Sequence, residues 1–218
     1  MSGTPPDGTY PGGQHLPQEG RLGFFATCIG VIKNPETTFS RLAEDHPVRW
    51  ALALVVGLAF LGSLINSGTL SSSTLFGREI GFALKLGYVV LSPIGAIVAV
   101  AFWAALLMVS SRLLGGKGTY RGLFVGTAFA DVPAALHLPV LVIASAVGPI
   151  LGAIVGVIGL LFFAWTMLLT VYAIQANNQF STARSIAALV LPLGLFLVLS
   201  FALTFAIIIL FVIIAIVA

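Results

Sequence analysis

The chain has 218 residues, 59% of them hydrophobic and only 8% charged, with 10 basic against 7 acidic side chains, and its mean hydropathy is +1.11. Such a composition excludes an ordinary soluble domain, and a surplus of 3 positive charges scattered over several loops excludes a nucleic-acid-binding footprint. The single cysteine, Cys28, allows no internal disulfide and no zinc or iron–sulfur centre built from thiolates.

Residues 1–20 hold four prolines and five glycines with almost no aliphatic side chains, so a disordered tail is expected there. The first long apolar run starts only near Trp50, so the first span is expected to act as the insertion signal in place of a cleaved leader. Residues 21–48 form a juxtamembrane unit. Leu22, Phe25, Ile29 and Ile32 recur at helical spacing, widened by Phe24, Cys28 and Val31 and bracketed by Arg21 and Lys33, which predicts a helix lying in the membrane interface. Asn34 is placed to cap a second short helix, with Pro35 in its first turn and Glu36 near the positive end of the dipole, and His46-Pro47 ends it. Phe39, Leu42 and Ala43 give that helix an apolar side and Arg41, Glu44 and Asp45 a wet one. The pair reads either as a docking surface or as a lead-in orienting the first span.

Residues 49–218 form the membrane domain. Five segments reach the roughly 20 apolar residues that a helix needs to cross the hydrocarbon core: Trp50 to Ser67, Phe82 to Ser111, Leu123 to Val147, Ile150 to Ala176 and Ile186 to Ala218. The fold class is therefore all-α, a polytopic bundle of five transmembrane helices preceded by two interfacial amphipathic helices on the cytoplasmic side. With the N-terminus inside, that side carries Arg21, Lys33, Arg41, Arg49, Arg112, Lys117, Arg121 and Arg184, against Arg78 and Lys85 outside. The asymmetry fits the positive-inside rule and puts the C-terminus outside a cell (inner) membrane. The last segment would be roughly 50 Å long as a straight helix against a core of about 30 Å, so tilt or a bend near Pro192 is expected. Gly148, Gly152 and Gly156 at four-residue spacing, and Gly122 with Gly126, suit close helix packing. They suit a homo-oligomer seam or gate as well as ordinary packing within one chain.

The chemistry-bearing residues are few. Asp131 lies ten residues past Arg121, about 15 Å into the membrane, at a level that Trp103 and Trp165 would share. It reads as a proton acceptor, a cation ligand or a counter-ion to a lipid headgroup, or else as a neutral buried acid satisfied by Thr127 one turn earlier. His137 falls about 120° around the helix from Asp131, so a relay between them would need a kink at Pro133. No metal-ligand spacing, nucleophile–base pair or phosphate loop is present, and no cofactor is implied.

Three blocks, NPETTFSRLAEDHPVRWALAL at 34–54, LLGGKGTYRGLFVGTAFADVPAALHLP at 113–139 and AWTMLLTVYAIQANNQFSTARSIAAL at 164–189, carry a resemblance. Their order resembles the Yip-domain family, the Ypt-interacting membrane proteins, particularly its prokaryotic members. The resemblance implies five helices, a cytoplasmic N-terminus and no catalysis; eukaryotic members bind prenylated Rab-type GTPases and each other. The Asp-Leu-Tyr-Gly motif of those members is missing here. The expectation is a non-enzymatic scaffold gathering membrane lipids, a membrane-associated protein partner or further copies of itself, with Arg41, Tyr120, Arg121 and Arg184 at the contact surface. The alternative is a small-solute or ion transporter, or a lipid carrier, with a polar path at Asp131 and His137.

Overall fold

The computed structural model describes residues 23–69, 74–75, 78–79, 81–147 and 149–217. Eight helices are described: α1 (Phe24–Lys33), α2 (Pro35–Asp45), α3 (Val48–Thr69), α4 (Phe82–Leu113), α5 (Tyr120–Ala130), α6 (Val132–Val147), α7 (Pro149–Asn178) and α8 (Thr182–Val217). A two-residue antiparallel ladder, β1 (Thr74–Leu75) on β2 (Arg78–Glu79), lies between α3 and α4. Five stretches are long and apolar enough to cross a membrane: Val48–Ser67, Phe82–Leu113, Tyr120–Val142, Ile154–Asn178 and Thr182–Ala202. The fold is all-α, as the hydropathy requires, and the expected tail falls outside the described residues.

The third span is not one helix. α5 stops at Ala130, Asp131 sits in a turn with φ −81° and ψ 1°, and α6 begins at Val132. Pro133 explains the break, because it has no N–H to donate to Phe129 and its ring crowds that carbonyl. The next amide, Ala134 N–H, donates to Asp131 O at 2.9 Å, a tightened turn that starts α6.

Every residue of α5 from Gly122 to Ala130 is buried, so α5 is the axis of the bundle. α3, α4 and α7 pack around it, and α2 crosses it at one end. Lipid faces most of the rest, which is why Phe102, Leu160 and Phe201 are exposed.

Two short helices, α1 and α2, precede the first span, and the buried face departs from the apolar spacing in α1 but not in α2. In α1 the buried positions are Thr27 and Val31, whereas Phe25 is 79% exposed. Phe24 packs edge-on against Trp50 and lies 6.4 Å from Phe129, nine residues into α5, so α1 runs alongside the bundle. Half-burial pushes the Cys28 thiol up, as suits an apolar filler. In α2, Thr38, Phe39 and Leu42 are buried. The Asn34 side chain makes no capping bond; its carbonyl accepts instead from Thr38 N–H and from the hydroxyls of Thr37 and Thr38. His46 ends α2 in the left-handed region at φ +46°, its N–H returning to Leu42 O.

Candidate functional site

The three sequence blocks meet at one end of the bundle, the polar end. α4 closes there with a left-handed Gly115 at φ +83°, Gly116 N–H donating to Ser111 O and Gly115 N–H to Arg112 O. This 6→1 and 5→2 pair is the hydrogen-bonding pattern of a Schellman stop. α7 ends similarly, with Gln179 left-handed at φ +55° and Phe180 N–H returning to Gln175 O. Between the two stops, Asn178 Oδ1 accepts from Gly118 N–H at 3.1 Å, while its Nδ2 donates to Ile174 O and Ser111 Oγ. Asn177 grips Thr119 from both sides: Nδ2 donates to Thr119 O at 3.1 Å and Oδ1 accepts from Thr119 N–H at 3.4 Å. Arg112 donates to Gly118 O at 3.2 Å.

Thr119 then joins the third block. Its hydroxyl caps α5 by accepting from Gly122 N–H at 3.1 Å and lies 3.0 Å from His46 Nε2. In the neutral ring, His46 Nδ1–H donates to the Glu44 carbonyl, so Nε2 accepts the Thr119 hydroxyl hydrogen. The glycines of this loop are required by proximity: a Cβ on Gly116 would lie 2.6 Å from Asn178 Oδ1, one on Gly118 would meet the Asn177 carbonyl at 2.7 Å, and one on Gly122 would overlap the Asn177 side chain. Beside this knot, α2 and the end of α7 enclose a groove of about 510 Å³ lined by Glu36, Ser40, Glu44, Tyr172, Gln175, Asn177, Gln179 and Phe180.

Of the residues expected at the contact surface, Arg41, Arg121 and Arg184 are exposed, each on a helix segment at this end. Tyr120 is turned partly inward, its hydroxyl donating to Ala101 O at 3.0 Å. Gly126 packs closely within the chain, where a Cβ would stand 2.7 Å from the Ala173 Cβ. Gly156 has open space beside it, Gly148 lies outside the described residues, and of Gly152 only the helical backbone is described.

A second polar spot lies deeper. Asp131, Thr127 and Trp103 line one cavity of about 230 Å³ together with Ala99, Val100, Thr166, Met167 and Thr170. Trp165 is elsewhere, stacked on Phe162 with centroids 6.2 Å apart, and the same Phe162 packs on His137. His137 is thus on the α6–α7 contact and not in the cavity; its Nε2 is buried with no hydrogen-bond partner among the described residues. Pro133 is buried behind the turn. The Thr127 hydroxyl donates to Leu123 O and Phe124 O, and no hydrogen bond joins it to Asp131 among the described residues. Thr166 and Thr170 were not singled out by the sequence, although hydroxyls one turn apart in an apolar span are a usable signal. Asn177 and Asn178 directly follow the fourth apolar segment of the sequence; two adjacent amides closing an apolar helix signal inward bonding, since a buried amide left unbonded is costly.

Five apolar helices, one of them broken at an acid and a proline, and a knot joining three separated blocks define an integral, multi-pass membrane protein. The family model of the Yip1 domain matches residues 29–204, and the chain belongs to that family. No curated protein and no solved structure matches it. Among the described residues, no group of three or more His, Cys, Asp or Glu could hold a metal ion.

Proposed function

We propose that the protein is a non-enzymatic scaffold of a cell (inner) membrane that recruits a membrane-associated partner at the polar end of the bundle, with that end cytoplasmic and α2 at the lipid headgroup level. The observation that carries this is the knot around Asn177, Asn178 and Thr119. It fixes α2, the α4–α5 loop and the α7–α8 turn relative to one another and leaves a polar groove between α2 and α7. A surface held rigid before binding loses little conformational entropy on binding, which suits recruitment. Orientation follows from the basic residues gathered at that end. The test is a photocrosslinker at Ser40, inside the groove, in intact membranes. A discrete adduct, weakened by Arg41→Glu with Arg121→Glu at unchanged protein level, supports recruitment; an adduct insensitive to both charge reversals counts against it.

The Asp131 cavity favours a second reading, that of a carrier for a small solute, an ion or a lipid. An acid facing a cavity inside a membrane span is the kind of group that such proteins use. Its path would involve Asp131 and the α5–α6 break and would bypass His137.

A further inference from the structure

What the Asp131 cavity offers a ligand can be read from where its hydroxyl hydrogens go. The Thr127 hydroxyl donates to Leu123 O and Phe124 O, and the Thr170 hydroxyl to Thr166 O. Each therefore presents only oxygen lone pairs to the cavity. Asp131 adds a carboxyl group, and no hydrogen bond or ion pair reaches it among the described residues. At Thr127, Thr170 and Asp131 the wall thus selects a donor or a positive charge, and the Thr166 hydroxyl and the Trp103 indole N–H are the remaining polar groups of the lining. Its apolar part is Ala99, Val100, Met167 and the indole of Trp103, a surface for hydrocarbon and for cation–π contact.

Size and access narrow the ligand. A bare alkali or divalent ion needs several oxygens closing around it, but this cavity of about 230 Å³ has apolar side chains on much of its wall. α5 floors the cleft between α4 and α7, which meet at the polar end through Asn178 and Ser111. α8 covers that end by receiving Ser110 Oγ at Ala188 O, but from Leu195 to Val198 every α8 side chain is exposed. Ala99, on the cleft wall, is exposed as well. The way in is sideways, from the bilayer.

We propose that the cleft formed by Asp131, Thr127, Thr170 and Trp103 binds a protonated amine carried on an apolar body, entering from the membrane. The ammonium hydrogens bond the Asp131 carboxylate and the two threonine oxygens, and the hydrocarbon lies along Trp103, Val100 and Met167. This deepens the carrier reading, on which it rests for its biological use, but it requires only binding.

The test uses the full chain in nanodiscs of phosphatidylcholine and phosphatidylglycerol with radiolabelled octylammonium as the probe. Saturable binding of one amine per chain is expected, weakened at least about tenfold in Asp131→Asn through loss of a charge-assisted bond and severalfold in Trp103→Leu. Thr127→Val with Thr170→Val, nearly isosteric, provides a second route should Asp131→Asn fold poorly; it too should weaken binding. No saturable binding by the parent protein, or equal binding by all the folded variants, overturns the proposal. Competition by phosphatidylethanolamine added to the discs identifies a lipid amine as the occupant, and its failure to compete identifies a free amphiphile; both keep the site. Binding without amine flux across proteoliposomes also keeps the site and removes the carrier reading.

Discussion

The two ends of the bundle are built on different principles. At the polar end, side-chain amides, a histidine and a threonine bridge segments as distant as His46, Thr119 and Asn177, and three glycines sit where a single methyl would collide. Towards the other end, Gly156 has nothing within 4 Å and α8 exposes a full turn from Leu195 to Val198. Between helices in a bilayer there is little hydrophobic drive, so specificity comes from close packing and hydrogen bonds. This chain places both at the end where polar partners are available and leaves the far end to lipid.

That contrast can be broken by substitution. Gly118→Val should do most damage, because the added carbons meet the Asn177 carbonyl at a backbone position; a loss of about 3 kcal/mol or more is expected, measured by unfolding in mixed micelles. Asn178→Leu follows, at about 2–3 kcal/mol, since it removes two donated bonds and strands the Gly118 N–H. Thr119→Val should cost about 1–2 kcal/mol through loss of the α5 cap and the His46 bond, and Thr119→Ser should recover most of it. Gly156→Leu should fall within about 0.5 kcal/mol of the parent protein. A Gly156→Leu loss as large as that of Gly118→Val would show that the far end is as tightly specified as the polar end.

The same contrast governs what the sequence reveals. Span number and the stop at His46 were legible because hydropathy, proline and local turn chemistry act within a few residues. The α5–α6 break needed one step further: Pro133 pointed to a kink, but only the tertiary fold shows the helix released at Asp131. Trp103, Thr127 and Asp131 do share a cavity as depth along the helices suggested, whereas Trp165 turns to another face, because depth says nothing about rotation around a neighbour; His137 stays outside the cavity, in line with its offset of about 120° from Asp131. The Asn177–Thr119 pair left no periodic trace, since its partners lie 58 residues apart. In α1 the outward direction of Phe25 and the burial of Thr27 depend on where α5 and α6 stand, not on the spacing of apolar residues.

The placement of α2 also bears on how the protein is made. Phe39 and Leu42 are buried in a helix that packs on α5 and α7, so their neighbours are synthesised long after they are. At roughly 5–20 residues per second, the ribosome needs on the order of ten seconds to go from Asp45 to Asn178. Throughout that interval the apolar side of α2 lacks its final seat, and the end of the molecule that begins the chain is among the last parts to be completed.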